Sequence, residues 1–448
     1  MNRQIFLLIT LFSFGLTGIV SCSLQQKIGK EATATILQSK ALVTAHVGIT
    51  IYEPATRKYW YDYQGDKYFV PASNTKLPTC YAAMKYLGDS LPGLRFDTSD
   101  RSCIYIQGTG DPTFLHPDFV NQPVLRFLQS QKKSFCLSEL SYSEPELGSG
   151  WSWNDYDQYY MAPRSPMPIY GNVVRFKKGA PENNGVDSVP GFAIQISPQR
   201  FTAQLVRANI GWKNAKGFSV SRVMNDNSFI ISPAAKGDYQ EVPFTFTRTL
   251  IYSLLADTLH AAVLPYGTFR HKLPGLIHSQ PTDSLLRSMM HRSDNFFAEQ
   301  SLLMVSNERL GVMNDERIID TLLKVDFRDL PQKPRWVDGS GLSRYNLFSP
   351  KDFVAILEMM KNDFGMDRIK HILATGGEGT ISNYYKSDSG YIYGKTGTLS
   401  GVVAFSGFLY TRKGRLLIFS TLVNNHQSSA TEVRRSVEKF LQDIRNQY

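Results

Sequence analysis

The sequence lacks the features that mark several common protein classes. It has four cysteines in 448 residues, and it shows no low-complexity tract, no internal repeat and no metal-ligand spacing. Its formal charge of +10 suits an anionic partner such as a cell-wall polymer or a phospholipid surface. The lysines and arginines are scattered, however, and no nucleic-acid-binding motif is present. We therefore expect no metal, no cofactor and no nucleic acid as a partner.

The length and composition favour a globular protein of about two or three domains. Hydrophobic residues make up 42% of the chain and charged residues 20%.

The only prominent apolar run lies at the N-terminus, from Ile5 to Val20, and it follows Arg3. It is too short for a membrane span and indicates an export signal over residues 1–21. The run ends in Ile19-Val20-Ser21-Cys22, which resembles the lipobox of bacterial lipoproteins. We expect an exported, periplasmic protein that is anchored to a membrane by a lipid on Cys22. An ordinary signal peptide with an incidental cysteine is the alternative.

Three cysteines remain if Cys22 is lipidated, namely Cys80, Cys103 and Cys136. An oxidising compartment would permit a Cys103–Cys136 disulfide. We favour the alternative of three buried free thiols.

Local patterns predict the main elements. Two runs with alternating side chains, 45–52 and 57–63, indicate a β-hairpin. Helical spacing follows from Ser73 to Leu87 and ends at Gly88. Strand-like runs such as 192–197 and 201–208 dominate the middle of the chain. Helices are expected at 31–40, 247–262, 282–305, from Ser349 onward and at 428–446, and closing strands at 402–411 and 416–423. The apolar stripe of the last helix is expected to pack in the core.

Three motifs stand in a fixed order along the chain: Ser73-Asn74-Thr75-Lys76, Ser293-Asp294-Asn295 and Lys395-Thr396-Gly397-Thr398. Each is weak alone, since Ser-x-x-Lys recurs from Ser130 to Lys133 and from Ser436 to Lys439. The joint order and the contexts are specific, because they supply a nucleophile, a base, a proton relay and an anion anchor. The set is typical of enzymes that acylate their own serine with a peptide or lactam carbonyl.

The spacing of these residues fits that chemistry. Residues at i and i+3 share one helix face, so Lys76 can reach the Ser73 hydroxyl. Burial and the nearby cation Lys395 would lower the pKa of Lys76 and make it a base. Ser293 can then pass a proton to the leaving amine. Further roles are expected for Asn295 in holding Lys76, for Lys395, Thr396 and Thr398 in binding a terminal carboxylate, and for Gly397 in admitting substrate along the strand.

The chain resembles the D-alanyl-D-alanine carboxypeptidase/endopeptidase family, the class C low-molecular-mass penicillin-binding proteins. Beyond the three motifs, family-like stretches occur at 108–113, 150–155, 293–299 and 338–344. The resemblance implies a mixed α/β (α+β) fold. Its transpeptidase/β-lactamase-like domain, with a five-stranded antiparallel sheet and flanking helices, would be formed by residues 22–90 and 266–448. Residues 91–265 would form inserted, mainly β subdomains. It also implies peptidoglycan peptides as substrates and β-lactam antibiotics as covalent inhibitors.

The same resemblance assigns two further residues to the substrate. The position of Asp155 would bind the free amino group of a diaminopimelate side chain, and that of Arg344 its carboxylate. An acid and a guanidinium suit such a zwitterionic end. Ordinary surface or loop-pinning roles are the alternative for both.

Two rival functions share part of this evidence. A serine β-lactamase carries the same motifs, and Glu358 with Asn362 superficially matches a deacylating Glu-x-x-x-Asn. We interpret Glu358 as part of the helix that starts at Ser349. The other rival is a non-catalytic cell-wall-binding lipoprotein, against which the complete catalytic set argues.

Overall fold

The computed structural model describes residues 24–138, 142, 144–180, 188–189, 192–209, 211–267 and 272–448. The expected signal segment 1–21 and Cys22 lie outside the described residues. Within these ranges no helix combines the length and the apolar character that a membrane crossing requires.

Nine helices are present in the described part of the chain. They are α1 (residues 24–32, continued by a π-helical turn at Thr33–Leu37), α2 (Lys76–Tyr86), α3 (Pro123–Gln129), α4 (Arg248–Leu259), α5 (Thr282–Arg292), α6 (Asn295–Leu310), α7 (Asp315–Val325), α8 (Pro350–Ile372) and α9 (Ala430–Gln447).

The described residues also form eighteen strands. They are β1 (His46–Glu53), β2 (Lys58–Tyr63), β3 (Ser90–Asp97), β4 (Cys103–Gly108), β5 (Ser134–Ser138), β6 (Val173–Gly179), β7 (Ser188–Val189), β8 (Phe192–Ser197), β9 (Leu205–Arg207), β10 (Gly217–Arg222), β11 (Phe229–Ala234), β12 (Tyr239–Pro243), β13 (Val263–Tyr266), β14 (Gly275–Pro281), β15 (Ala374–Thr375), β16 (Ile392–Leu399), β17 (Val402–Tyr410) and β18 (Leu416–Asn424).

An antiparallel sheet in the order β15-β16-β17-β18-β1-β2 organises the first core. Adjacent residues of a strand point to opposite faces, so Ile418 packs with α2, α5, α6 and α8 while Phe419 packs with α1 and α9. The predicted five-stranded sheet is confirmed by the five long strands β1, β2, β16, β17 and β18, of which β1 and β2 form the predicted hairpin. The two-residue β15 is a sixth strand that the sequence pattern did not predict, since so short a run has no periodicity.

The terminal helix covers one face of this sheet, as predicted. Its apolar stripe is buried against strands β1, β17 and β18, and it comprises Val433, Val437, Phe440, Leu441 and Ile444. The stripe therefore belongs to the protein core.

Two predicted elements differ from the structure. The helix expected over 282–305 is two helices, because Ser293 is left-handed (φ 61°) and the Asp294 carboxylate caps α6 at the Phe297 N–H. The strand expected over 201–208 begins as a 3₁₀ turn, and only Leu205–Arg207 is a strand. Phe201 lies in that turn and is buried because its ring stacks on Phe244, so the burial of this side chain does not require a strand.

Three smaller sheets form the segment between the first and second motifs, in the orders β13-β5-β4-β3-β14, β12-β6-β8-β7 and β10-β11-β9. Their apolar faces share one core with α4, which includes Phe176, Phe229 and Leu254. Strand β14 pairs with β3 as far as Pro281, beyond the expected boundary at residue 265. The domain boundaries stay a prediction, and we propose that the insertion extends to Pro281.

A disulfide joins Cys103 of β4 to Cys136 of β5, while Cys80 is a buried free thiol. The expectation of three free thiols was wrong. Strands β4 and β5 are parallel neighbours, and the register places Cys136 beside Tyr105, two residues from Cys103. The spacing of 33 residues could not reveal this pairing, because α3 lies between the strands.

Candidate active site

Ser73 and Lys76 meet at the start of α2. Ser73 lies in a 3₁₀ turn, Ala72–Thr75, and Lys76 is the first residue of the helix. Side chains three residues apart stand above one another in such a turn, and the Lys76 Nζ donates to the Ser73 Oγ at 3.0 Å. Ser73 is half-buried, so its hydroxyl stays accessible while Lys76 is enclosed.

The Lys76 ammonium has a partner for each of its three N–H donors. Besides the Ser73 Oγ, it donates to the Asn295 Oδ1 at 2.7 Å and to the Ser340 carbonyl at 2.7 Å. Burial lowers the pKa of Lys76 to about 8, against the opposing effect of three carboxylates, those of Asp338, Glu299 and Asp294. A neutral lysine that can accept the Ser73 proton is therefore accessible near neutral pH.

Ser293 occupies the break between α5 and α6, where its left-handed backbone ends one helix before the next begins. The buried Lys395 donates to the Ser293 Oγ at 2.8 Å and to the Thr396 carbonyl at 2.7 Å. Burial and the cations Lys76 and Arg434 hold the pKa of Lys395 well below its ordinary value. Burial is the largest cause of the lowered pKa of each lysine, and the repulsion between them disfavours a positive charge on both at once.

Glycine is required at position 397 for a reason other than the expected one. A Cβ at this position would lie 2.6 Å from the Pro71 carbonyl oxygen, 3.0 Å from the Ser73 nitrogen and 3.1 Å from the Ala72 Cβ. Strand β16 therefore needs glycine to approach the turn that carries Ser73. The close contact is inside the protein, so space for substrate is not what requires this glycine.

The loop at 338–344 holds Lys76 from behind, whereas sequence reasoning assigned it only the substrate contact of Arg344. The Asp338 carboxylate accepts hydrogen bonds from two backbone N–H groups, of Gly341 (2.8 Å) and Ser343 (2.7 Å), and from two side chains, of Asn346 (2.7 Å) and Trp151 (2.9 Å). These bonds fix the loop whose Ser340 carbonyl accepts from Lys76. Trp151 belongs to the insertion, so the insertion helps to position Lys76.

A buried charge cluster supports the same loop. The Glu299 carboxylate accepts from the Ser340 N–H at 2.8 Å and lies 3.8 Å from the Arg164 guanidinium. Arg164 also pairs with Asp315 and lies 3.8 Å from Glu144. Burial and the Asp338 carboxylate raise the pKa of Glu299 to about 7. Glu299 could have been predicted because it belongs to the family-like stretch 293–299. No motif near Arg164 indicated a role for that residue.

An open cavity of about 860 Å³ brings most predicted site residues together. The predicted residues that line the cavity are Ser73, Asp155, Ser293, Asn295, Arg344, Thr396 and Thr398. Three others are buried beneath its floor, namely Lys76, Lys395 and Gly397. Cys22 lies outside the described residues. Asp155 ends a 3₁₀ turn of the insertion, and Arg344 is exposed and donates to the Ser400 carbonyl at 2.9 Å. The arrangement can hold a peptide between two charged walls.

Glu358 does not line this cavity and instead accepts from the Tyr52 hydroxyl at 3.1 Å within the core of the sheet and α8. That position matches the interpretation of Glu358 as a structural helix residue.

The lowered pKa of Lys76 predicts a pH dependence. If neutral Lys76 accepts the Ser73 proton, the rate of acylation by a labelled penicillin falls about tenfold per pH unit below pH 8 and levels off above it. The rate constant of label incorporation between pH 6 and pH 9.5 measures this. A profile that stays flat from pH 6 to pH 8 would exclude Lys76 as a base of that pKa.

Comparisons with known proteins identify the family of this chain. A model of the D-Ala-D-Ala carboxypeptidase 3 (S13) family matches residues 30–444. The D-alanyl-D-alanine carboxypeptidase DacB of Haemophilus influenzae is 24% identical over 431 residues, 86% of this chain and 87% of that protein. The D-alanyl-D-alanine carboxypeptidase of Actinomadura sp. (strain R39) is 24% identical over 451 residues, 90% of this chain and 82% of that protein.

The fold is likewise similar to a solved structure. Penicillin binding protein 4 (dacB) from Haemophilus influenzae superposes with a TM-score of 0.70 over 93% of this chain and 98% of that chain, at 21% identity. This likeness confirms the predicted fold class.

Proposed function

Since the chain belongs to the D-Ala-D-Ala carboxypeptidase 3 (S13) family, we propose that Ser73 is the nucleophile with which it cleaves the peptides of peptidoglycan. The family and the class of serine-type hydrolase predicted from the three motifs are thereby confirmed. The observation that carries the residue roles is the 3.0 Å contact between the Lys76 Nζ and the Ser73 Oγ, in a site where burial lowers the pKa of that lysine.

The proposed reaction has two halves. Neutral Lys76 takes the Ser73 proton as the Ser73 Oγ attacks the carbonyl of the penultimate D-Ala, and the backbone N–H groups of Ser73 and Thr398 hold the resulting oxyanion. The proton then passes through the Ser293 hydroxyl to the departing amine, and the C–N bond breaks. Water next attacks the ester carbonyl as neutral Lys76 takes its proton. The acyl C–O bond to Ser73 then breaks, and Lys76 returns that proton to the Ser73 Oγ, which releases the peptide acid and restores the enzyme. Asn295 keeps Lys76 in place throughout.

Penicillin would undergo the first half of this reaction, the acylation of Ser73. Its lactam carbonyl meets Ser73 as the peptide does, and ring opening leaves the amine tethered to the acyl group. We therefore propose β-lactams as covalent inhibitors. Glu358 is engaged with Tyr52 outside the cavity, which favours a long-lived adduct over the rapid turnover of a β-lactamase.

The charged walls of the cavity suit the rest of the stem peptide. Asp155 would meet the free amino group of a diaminopimelate side chain and Arg344 its carboxylate, as the family resemblance implies. Arg344 has no carboxylate partner within 4.0 Å among the described residues, which leaves its charge for a ligand. The mixed charge of the two side chains matches a zwitterion.

Replacement of Asp155 by Asn and of Arg344 by Gln tests these contacts. We expect each variant to lower kcat/KM about 10- to 100-fold for a diaminopimelate-containing pentapeptide, because a charged hydrogen bond is lost. The same variants should act like the wild type on a peptide whose side-chain end is truncated. Equal losses on both peptides would assign the two residues to maintaining the loop structure.

Product identification tests the activity itself. Purified protein is incubated with peptidoglycan fragments, and the products are identified by mass. Free D-Ala from pentapeptides or monomers from cross-linked dimers would support the proposal, and the ratio of the two measures carboxypeptidase against endopeptidase action. Cleavage at any other bond, or unchanged fragments, would contradict it.

We also propose that the protein is exported to the periplasm and held at a membrane by a lipid on Cys22. The support is the apolar run at 5–20 and the lipobox-like residues 19–22. Incorporation of a labelled fatty acid into the wild type but not into Cys22→Ser would agree with this proposal, and labelling of both would contradict it.

A further inference from the structure

A second cavity, of about 430 Å³, shares the second motif with the active-site cavity. Ser293 and Asn295 line both cavities, and so do three further residues, Tyr159, Tyr160 and Arg292. The insertion supplies most of the remaining lining, from the loop after β4 and from strands β6 and β12. No step of the reaction proposed above uses this lining, so the second cavity is free for a different part of the substrate.

Arg175 of β6 lines the second cavity with a guanidinium that is only partly satisfied. The residue is 9% exposed, its Nε donates to the Glu241 Oε1 at 2.9 Å, and its Nη1 donates to the Tyr170 carbonyl at 2.7 Å. Its buried Nη2 has no hydrogen-bond partner among the described residues. A buried N–H group without a partner destabilises the protein, so a ligand that accepts from this nitrogen is strongly favoured.

The His116 ring presents a second donor to the same cavity. Its Nδ1 accepts from the Asp118 backbone N–H at 3.3 Å, while the Asp118 carboxylate is engaged by Arg292. Burial and the cations Arg175 and Arg292 lower the pKa of His116 to about 3, so the ring is neutral and its one proton is on Nε2. Within the described ranges no acceptor is hydrogen-bonded to this Nε2–H.

The two donors converge where Gly171 has no side chain. A Cβ built on Gly171 would lie 3.2 Å from the Arg175 Nη2 and 3.3 Å from the His116 Nε2. The left-handed backbone of Gly171 (φ 71°) favours glycine, so this point of the wall stays open. An oxygen placed there accepts from a guanidinium and from a neutral imidazole. A carboxylate is the group that such a pair of donors suits best.

The leaving group of a cross-linked substrate supplies such a carboxylate. Ser293 is the residue that protonates the departing amine in the proposed reaction, and it lines the second cavity as well as the first. When that amine belongs to a terminal D-Ala, the leaving group is one amino acid and needs no second cavity. In a cross-linked dimer the same amine carries a whole second stem peptide with further carboxylates. That peptide has to lie beyond Ser293.

We propose that the second cavity binds the second stem peptide of a cross-linked dimer, with one of its carboxylates between Arg175 and His116. This assignment rests on the proposed peptidase function and adds to it a binding site for the leaving strand. Tyr159 and Tyr160, whose ring centroids are 5.4 Å apart, line both cavities and contact the peptide where it passes from one to the other. D-Ala release from a pentapeptide leaves the second cavity unused.

The test compares two substrates that differ in the leaving group. Conversion of a cross-linked dimer to monomers is measured against D-Ala release from a pentapeptide. We expect Arg175→Gln to lower kcat/KM for the dimer about 10- to 100-fold, because a charge-assisted contact is lost, and Arg175→Lys to retain part of it. His116→Phe removes a neutral donor and should lower the same kcat/KM about 3- to 10-fold. All three variants should match the wild type on the pentapeptide.

Two features of the chain keep this test specific. His116→Phe preserves a ring that packs against Phe119 and Phe297, so it removes the donor with little loss of packing. Arg200→Gln is the matched control, since it removes a guanidinium from an exposed ion pair of the insertion, and it should act like the wild type on both substrates. Thermal unfolding checks each variant, and His116→Phe decides the test if Arg175→Gln does not fold.

The possible results separate this proposal from the proposed function. A loss confined to the dimer would support the second cavity as the site of the leaving strand. Unchanged dimer cleavage in the folded variants would overturn the proposal, and equal losses on both substrates would instead assign Arg175 and His116 to positioning Ser293. A wild type that releases D-Ala but leaves dimers intact would overturn this proposal alone. A wild type that cleaves neither substrate would contradict the proposed function.

Discussion

Replacement of Ser73 by alanine is expected to lower the rate of D-Ala release by about 10⁵- to 10⁶-fold, with the fold intact. The covalent path requires the Ser73 Oγ, and among the described residues no other hydroxyl is hydrogen-bonded to the Lys76 Nζ. The side chain is half-buried and small, so its loss leaves the surrounding core unchanged. Steady-state release of D-Ala from a pentapeptide measures the loss of rate, and thermal unfolding checks that the fold is intact.

The chain supplies its own control for this variant. Ser130 precedes Lys133 in the same Ser-x-x-Lys spelling, but it is exposed and donates to the Phe127 carbonyl, while Lys133 donates to the Asp100 carbonyl. Ser130→Ala should therefore keep the wild-type rate. Residual activity of Ser73→Ala within about tenfold of the wild type would rule out the covalent path, given the size of effect that removal of a nucleophile has.

Replacement of Arg164 by methionine is expected to destabilise the protein by about 3–5 kcal/mol, because it leaves buried carboxylates without their cation. The Arg164 side chain is 1% exposed and lies among Glu144, Glu299 and Asp315. Methionine keeps much of the volume and removes the charge. Chemical denaturation of the variant and the wild type at pH 8 measures the loss.

The pH dependence of that loss has a defined sign. Burial already raises the pKa values of Glu144 and Glu299 to about 7, and removal of the Arg164 charge raises them further. The folded variant then binds protons more tightly than the folded wild type, so the deficit measured at pH 8 shrinks as the pH falls through 7. A deficit that grows on acidification would contradict this account of the cluster.

Arg328→Met is the matched control for Arg164→Met. The Arg328 side chain is 71% exposed and pairs with an exposed Asp329, so its removal should change stability by less than about 0.5 kcal/mol. A similar loss in both variants would show that the effect comes from the substitution type and not from the buried cluster.

The parts of the site that lie close together in sequence were predictable. The spacing of Ser73 and Lys76 places their side chains within one turn. Ser293 and Lys395 lie far away in sequence and were predicted from the fixed order of the motifs, not from a local pattern. Alternation predicted the β1–β2 hairpin and helical spacing predicted the apolar stripe of α9, since both depend on residues that are near neighbours.

The parts that depend on distant contacts were not predictable. Arg164 and Glu299 are 135 residues apart, and Arg434 reaches Thr398 across 36 residues, so no local pattern relates them. Similarly, the need for glycine at position 397 comes from Pro71 on another element. Such contacts follow from the packing of whole elements, and a single sequence does not encode them as a period or a spacing.

The location of a penicillin adduct tests the central claim most directly. The wild type is incubated with a β-lactam at pH 8, digested, and its peptides are sequenced by mass. The account predicts one adduct, an ester on the peptide that contains Ser73, which is absent from Ser73→Ala and unchanged in Ser130→Ala. An adduct on Ser293 or any other residue, or D-Ala release by a protein that never forms an adduct, would contradict it.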